Sequence, residues 1–193
     1  MGYQDALDLA AQRLAQLSAE AVCESCGARY EEGAYFLPWF NSERPVSGAS
    51  DAHQIVWLHY LAANGAKEPI GRLTAYREMA SALFYESKFN QRAVKPLVAC
   101  FGKCPEKLVE TAKSFGGHEA GIGSASATIH VLPYLPITFI IWEGDEELPP
   151  EGNILFDQSA KSWLVPEDLA MVASLAVYEL IGAYKKRNET SLS

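Results

Sequence analysis

The sequence predicts a single α+β domain in which a mixed, mostly antiparallel sheet packs against helices. The chain has 193 residues, which is the length of one ordinary domain. Hydrophobic residues make up 49% of it and charged residues 21%, a composition typical of folded globular proteins. Helical and strand patterns are mixed along the chain without the strict βαβ alternation of a parallel sheet, and this favours the α+β class. We place the domain at residues 1–187 and expect residues 188–193 to form a disordered tail.

The first predicted elements are a helix and a strand pair. Between Asp5 and Val22, apolar residues recur at intervals of three and four, which predicts one amphipathic helix. The segment from Tyr30 to Phe40 is rich in aromatic residues and contains Gly33 and Pro38. That pattern suits a short strand or a hairpin arm better than a helix.

The middle of the chain is predicted to be mostly helical. Ser50 or Asp51 can cap a helix that ends at Asn64-Gly65. Residues 70–78, which follow it, are predicted to be extended. Asn90 can cap the next helix, which runs to residue 102. Pro105 opens another helix that ends near residue 115.

Strands and a closing helix are predicted in the last third. Residues 125–132 and 137–142 are β-branched and aromatic runs joined by a Pro-Tyr-Leu-Pro corner, and the second run reads as a strand buried on both faces. A short strand at residues 153–156 follows. Pro166 then begins a long helix whose apolar residues fall on one side.

The charge excludes two classes of partner. The chain has 16 Lys and Arg against 24 Asp and Glu, which gives a net charge of -8 at pH 7. Because a phosphate backbone or an anionic bilayer would be repelled by the average surface, we expect no nucleic-acid partner and no membrane partner. Between Glu143 and Asp168 there are eight acidic residues and one basic residue, so nearly all of the net charge lies in this segment.

No segment predicts a membrane span or a secretory signal. The longest apolar run, residues 131–142, is broken by prolines and is shorter than the roughly 20 residues that a span needs. The N-terminus has early acidic residues and lacks the apolar stretch of a signal peptide. We therefore expect a cytoplasmic protein without structural disulfides.

The four cysteines form two pairs, Cys23 with Cys26 and Cys100 with Cys104. Thiolates at such spacings can share a tetrahedral zinc or iron–sulfur site. The second pair has three intervening residues and lies far from the first in the chain, so joint ligation needs a long-range contact. Free or redox-sensitive thiols are the alternative interpretation.

His59 and His130 are the candidate cofactor ligands. His59 shares a predicted helical face with apolar residues, and His130 points to the opposite side of its strand from Ile129 and Val131. If both faced one cavity, they could hold a metal or the iron or cobalt of a tetrapyrrole. The alternative is that each is a hydrogen-bonded structural histidine.

Asp145, Glu146 and Asp157 are the candidate metal ligands. They follow predicted strands, and their carboxylate oxygens suit a hard divalent cation or an acid/base pair. The alternative is an ordinary exposed turn, which the neighbouring prolines and glycine indicate. Glu167 and Asp168 stand where acidic residues stabilise a helix N-terminus. No Ser-His-Asp or Cys-His pattern can be assembled, so the sequence leaves open whether the protein is an enzyme.

Three short motifs follow one another in the C-terminal third. Residues 142–149 read W-E-G-D-E-E-L-P, residues 155–160 read L-F-D-Q-S-A, and Leu164 is followed by E-D-L-A at 167–170. The chain thereby resembles an uncharacterised family of domains of unknown function, found mainly in anaerobic bacteria and archaea, with the signatures W-x-G-D-E-E-F-P, L-F-D-x-S-A and L-x-x-E-D-L-A. Leu148 stands where the family usually has phenylalanine, and the resemblance extends from about Ile55 to Leu175.

The resemblance implies a biological context and no established activity. Some relatives look joined to iron–sulfur modules of the kind found beside corrinoid methyl-transfer proteins, which implies a cofactor-handling or redox-adjacent protein of an anaerobe. The Cys23 and Cys26 pair does not belong to the family signature, and this weakens the hypothesis of a shared metal cluster.

Three hypotheses about function follow. The first is a small-ligand or cofactor-binding module of anaerobic metabolism, with a tetrapyrrole or corrinoid-related ligand among the candidates. The second is an acidic docking partner of a basic redox or methyl-transfer protein, which would bind through the surface of residues 143–168. The third is a metal-assisted enzyme that uses Asp145, Glu146 and Asp157.

Overall fold

Two antiparallel sheets and a set of helices make up the fold, which confirms the α+β class. A computed structural model describes residues 3–63 and 68–190. The helices are α1 (Tyr3–Leu14), α2 (Ala19–Cys26), α3 (Asp51–Leu61), α4 (Glu86–Phe89), α5 (Lys95–Phe101), α6 (Glu106–Ser114), α7 (Ala160–Trp163) and α8 (Pro166–Thr190). The strands are β1 (Arg29–Glu31), β2 (Ala34–Trp39), β3 (Ser42–Pro45), β4 (Leu73–Ala75), β5 (His118–Glu119), β6 (Ala125–Leu132), β7 (Leu135–Trp142) and β8 (Glu151–Asp157).

The first helical region consists of two helices, so the prediction of one helix from residue 5 to 22 is wrong. The chain leaves α1 after Leu14, and Ser18 begins α2 as its N-cap, its Oγ accepting a hydrogen bond from the Ala21 amide at 3.2 Å. α2 ends at Gly27, whose φ of 70° lies in the left-handed region that favours glycine. The apolar spacing continues across the break, but the Ser18 cap starts a new helix there.

The strand pair predicted near residue 30 is part of a three-stranded meander in the order β1-β2-β3. The turn between β1 and β2 places Glu32 and Gly33 at φ values of 50° and 84°. Positive φ at both central residues gives a turn whose twist matches that of the flanking strands. The prediction of strands in this region is confirmed.

The larger sheet has five strands in the order β4-β8-β7-β6-β5, and all neighbours run antiparallel. β6 and β7 form the predicted hairpin, and β7 is buried at nearly every position, as its sequence indicates. β8 is longer than the predicted strand. It pairs with β7 over six residues of each strand, and the paired residues run from Trp142 opposite Glu151 to Ile137 opposite Phe156. The extended segment predicted at 70–78 is confirmed only over β4, because the next three residues form a single 3-10 turn.

A helical stretch runs without interruption from α4 to α5 through a π-helical segment, Asn90–Val94. The prediction that Asn90 caps a helix is wrong, since its φ and ψ of -59° and -43° are helical and the stretch begins four residues earlier. Pro96 explains the irregularity: it has no amide hydrogen to donate to the carbonyl of Arg92, so the regular ladder cannot continue there. The Lys95 amide instead donates to the Asn90 carbonyl, five residues back.

α8 is the predicted closing helix, and its buried face packs against α3, α4, α5, α6 and the π segment. It extends to Thr190, so residues 188–190 of the predicted disordered tail are helical. Residues 191–193 lie outside the described residues, and so does Asn64-Gly65, the predicted end of α3. Across residues 3–63 and 68–190, no helix combines the length and the apolar character that a bilayer crossing requires.

Candidate functional site

His59, the first candidate ligand, pairs with an acidic residue of α8. Its Nδ1 lies 2.9 Å from Oδ2 of Asp168 and connects α3 to the first turn of α8. Asp168 is only 7% exposed, so its carboxylate is withdrawn from the acidic surface. A carboxylate on Nδ1 fixes the orientation of an imidazole ring and leaves Nε2 as the nitrogen available to a ligand.

His130, the second candidate, lies elsewhere and has a different partner. It is exposed on β6, and its Nδ1 is 3.0 Å from the carbonyl oxygen of Pro133 in the β6–β7 turn. Neither His130 nor His59 lines any of the clefts described below. The structure therefore does not bring the two histidines together around one of these clefts.

Asp145 and Glu146 lie on the exposed loop between β7 and β8. Asp145 Oδ1 accepts hydrogen bonds from the amides of Glu147 and Leu148, each at 2.8 Å. These two bonds hold the pKa of Asp145 below its usual range. The side chain of Asp145 therefore closes a local turn, in agreement with the turn that the neighbouring prolines indicate.

Asp157 is buried at the opposite end of β8, with 2% exposure. Its Oδ1 accepts from the amides of Ile70 and Ser159 at 3.1 and 2.8 Å, and its Oδ2 accepts from those of Gly71 and Arg72 at 2.7 and 3.1 Å. Burial alone would raise the pKa of Asp157, but the hydrogen bonds from Ser159, Ile70 and Gly71 outweigh it and hold the pKa below its ordinary value. Asp157 thus fastens the segment before β4 to the end of β8.

The length of β8 separates the three predicted metal ligands. Asp145 and Glu146 follow β7 and lie near the first residue of β8, whereas Asp157 is its last residue. Seven strand residues span about 20 Å, so one cation cannot contact both ends. Over the described ranges, no group of three or more His, Cys, Asp or Glu side chains is arranged to hold a metal ion.

All four cysteines are free thiols. Cys26 is buried, its Sγ donates to the carbonyl of Val22, and burial raises its pKa to about 11. Burial also raises the pKa values of Cys23 and Cys100. Thiols with raised pKa values stay protonated at neutral pH, and a protonated thiol is a poor metal ligand and a poor nucleophile.

A cleft between α4 and α8, which we call the α4–α8 cleft, has the character of a ligand site. Its volume is about 340 Å³. One wall comes from the helical stretch that begins at α4, and the other from α8. The residues that line it are Tyr85, Lys88, Arg92, Glu167, Ala170, Met171, Ser174, Leu175 and Tyr178.

A phenol and a carboxylate meet at one end of the α4–α8 cleft. The Tyr85 hydroxyl donates to Oε2 of Glu167 at 2.9 Å, and the Lys88 ammonium lies 5.8 Å from the centre of the Tyr85 ring. The hydrogen bond to Glu167 and the charge of that carboxylate raise the pKa of Tyr85. Since consecutive helical residues point about 100° apart, Glu167 faces this cleft while Asp168 faces α3.

A second cleft, of about 450 Å³, shares Leu175 and Tyr178 with the first and reaches His53 near the start of α3. The His53 ring packs edge-on against Trp39 and Trp57, with centroid distances of 5.2 and 5.1 Å. Burial and, to a smaller extent, the Arg44 guanidinium lower the pKa of His53. Tyr178, 58% exposed, stands between the two clefts.

Sequence reasoning did not find the α4–α8 cleft. Its two walls are about 80 residues apart in the chain, and only the packing of α8 against α4 and the π segment brings them together. One local signal was present in the sequence: Lys88 and Arg92 are two cations four residues apart in a segment that has no acidic residue between them.

The comparisons with known proteins give one match. The family described as a domain of unknown function, DUF3786, matches residues 18–179. Searches of the curated proteins and of the solved structures found no match. The matched range includes both walls of the α4–α8 cleft and all the strands β1 to β8, so the match extends well beyond the C-terminal motifs.

Proposed function

Because the chain belongs to the DUF3786 family of domains of unknown function, whose description assigns no activity, we propose a function from the site itself: the protein is a small-ligand-binding module, and the α4–α8 cleft is its binding site. This is the first of the hypotheses that the sequence suggests, now attached to particular residues.

The lining of the cleft is the observation that carries the proposal. Ligand sites are typically concave, with volumes of about 300–1,000 Å³, mostly apolar walls and a few convergent polar groups. The lining of the α4–α8 cleft includes the apolar side chains of Ala170, Met171 and Leu175 and the phenol side chains of Tyr85 and Tyr178. A half-open site of this kind can bind a flat or aromatic molecule by burying its faces.

The test uses Nile red, a neutral fluorescent dye, as the probe. In Ser174→Phe a large side chain would fill the cleft, because Ser174 lines it from the surface of α8. Asn188→Phe adds the same side chain to an exposed position of α8 outside the cleft and is the matched control. We expect Nile red to bind the native protein and the control alike, and to bind Ser174→Phe at least about tenfold more weakly. Equal binding by a folded Ser174→Phe variant would overturn the proposal.

A tetrapyrrole is the second candidate ligand, and the pairing of His59 with Asp168 is the observation that supports it. Histidines that hold metals commonly bond a carboxylate through the other ring nitrogen, as His59 does with Asp168. His130 fits this role less well, since its ring bonds a backbone carbonyl and it has no carboxylate partner in the described part of the chain. Incubation with haem or cobalamin should produce a Soret-type or corrin band that His59→Ala loses. A band of equal strength in His59→Ala would remove this candidate.

The docking hypothesis retains only part of its predicted surface. Asp157 and Asp168 are buried, and Glu167 is exposed at the start of α8. The other exposed acidic residues of this surface concentrate on the β7–β8 loop and the start of β8: Glu143, Asp145, Glu146, Glu147 and Glu151. A basic redox protein such as cytochrome c is a suitable probe, because its binding to these acids should weaken as salt rises. Binding that is unchanged between 20 and about 300 mM salt, or in Glu146→Gln/Glu147→Gln, would contradict docking.

The metal-assisted enzyme is the hypothesis that the geometry supports least, since β8 separates Asp157 from the other two carboxylates. What remains of it is an Asp145 and Glu146 pair on the loop. Calorimetric titration with Mg²⁺ of the native protein and of Asp145→Asn tests this remainder. Equal heats in the two proteins would end it.

A further inference from the structure

Two cations line the α4–α8 cleft without an acidic partner. Lys88 and Arg92 both contribute to its wall. Within the part of the chain that the structure describes, no carboxylate oxygen lies within 4.0 Å of a side-chain nitrogen of either residue. The ion pairs found there involve other residues. The lining of the cleft holds these two cations and one carboxylate, that of Glu167, so the cleft carries a local positive charge in a protein whose net charge is -8.

The spacing of the two cations is unfavourable unless something else neutralises them. They stand four residues apart on one helical stretch, where side chains are neighbours and like charges repel. Glu167, the acidic residue of the cleft, already accepts the Tyr85 hydroxyl. An anion placed between Lys88 and Arg92 would remove the repulsion and gain a charge-assisted hydrogen bond from each.

The backbone beneath Arg92 is also unusual. Arg92 lies in the π-helical segment that Pro96 enforces, and π segments inside α-helices are rare and often occur at functional sites. Within this segment Arg92 lines the cleft, while Ala93 next to it is buried in the core. A guanidinium is well suited to bind a carboxylate, sulfonate or phosphate through two parallel hydrogen bonds.

We propose that the ligand of the α4–α8 cleft is an amphiphilic aromatic anion: its acidic group binds Arg92 and Lys88, and its flat apolar body lies over Met171, Leu175 and Tyr178. This rests on the proposed function, because it names the ligand class of the same cleft. The charge complementarity comes from the two cations, which lack a carboxylate partner, and the aromatic character comes from Tyr85 and Tyr178, which line the cleft together with Met171.

The probe is 1-anilinonaphthalene-8-sulfonate, an aromatic sulfonate, compared with neutral Nile red and with inorganic phosphate. The variants are Arg92→Gln and Lys88→Gln, and Lys95→Gln is the control because it removes an exposed cation of the same stretch outside the cleft. We expect Arg92→Gln to weaken sulfonate binding about tenfold and Lys88→Gln by a smaller factor. Lys95→Gln should leave it unchanged, and Nile red should bind all four proteins alike.

The outcomes separate this proposal from the function on which it rests. If Ser174→Phe blocks Nile red while Arg92→Gln leaves sulfonate binding unchanged, the cleft is a ligand site but the anionic class is wrong. If Ser174→Phe blocks neither dye, both proposals fail. If phosphate alone competes as well as the aromatic sulfonate, the apolar body contributes nothing and the amphiphilic class is wrong. Near-ultraviolet circular dichroism and the Tm of each variant exclude dye binding to a loosened fold.

Discussion

Replacing Asp157 with asparagine should destabilise the fold much more than the same change at Asp145. Both carboxylates accept backbone hydrogen bonds, but they distribute them differently. The four amides bonded to Asp157 are divided between its two oxygens, two to each. The two amides bonded to Asp145 both reach the same oxygen, Oδ1. An asparagine has one carbonyl oxygen, so it can replace the acceptor of Asp145 but only half of the acceptor of Asp157.

The expected magnitude follows from this count. In Asp157→Asn two amides lose a charged acceptor and face an amide group that is itself a donor. A hydrogen bond to a charged group contributes about 1.5–3 kcal/mol, and Gly71 and Arg72 are exposed enough for water to compensate in part. We therefore expect a loss of about 3 kcal/mol in the free energy of unfolding and a Tm lower by roughly 6–12 °C. Asp145→Asn should stay within about 0.5 kcal/mol of the native protein.

Urea denaturation followed by circular dichroism at pH 7 measures both variants, and repeating it in acid adds a second check. A carboxyl whose pKa is lower in the folded protein stabilises it fully above the ordinary value of 3.8, and that stability is lost as the pH falls through the native pKa. The native protein and Asp157→Asn should therefore converge in stability at low pH. Equal losses in the two variants at pH 7, or a difference that persists below the native pKa, would refute the reasoning.

Three further predictions concern stability. Gly117→Ala should lower the free energy of unfolding by about 1–3 kcal/mol in urea denaturation, because its Cβ would lie 2.8 Å from Cγ1 of Ile129. Gly182→Ala, in an open position of α8, should raise the free energy of unfolding by about 0.5–1 kcal/mol. The opposite order of stability would contradict the packing. Because the pKa of His53 is lowered in the folded protein, the unfolded chain takes up the proton more readily, and Tm should fall as the pH drops below about 6.5. His53→Asn should make this fall in Tm less steep. An unchanged dependence of Tm on pH in the variant would contradict the role of His53. Ser18→Ala should cost about 1 kcal/mol through loss of the α2 cap, and a neutral result in denaturant would mean that water replaces the cap.

Some elements could be predicted because their signals are local. Pro166 and the one-sided apolar spacing after it predict α8, and the two β-branched runs around Pro133 predict the β6–β7 hairpin. The two wrong helix boundaries are also local in origin. Ser18 lies in the middle of a continuing apolar pattern, yet its side chain caps a new helix. Asn90 has a side chain that could cap a helix, yet it lies inside a helical stretch that begins four residues earlier. In both cases periodicity and capping residues give conflicting signals, and only the backbone conformation decides between them.

The candidate site residues show where sequence reasoning ends. Asp157 was a reasonable metal ligand by type and position, but the amides of residues 70–72, more than 80 positions away, use its oxygens. His59 was a candidate ligand without a partner until α8 placed Asp168 beside it. Long-range partners of this kind follow from the packing of whole elements, which a single sequence does not specify at the level of side chains.

By itself, the sequence determined the α+β class, the order of most elements and the negative charge of the last third, because composition, apolar spacing and turn residues act over a few neighbouring positions. Only the tertiary structure decided which acidic residues are buried, that the candidate ligands lie apart, and that two cations line a cleft against α8. The physical reason is that these properties depend on contacts between segments about 80–110 residues apart, and such contacts form only when the helices and sheets pack around a common core.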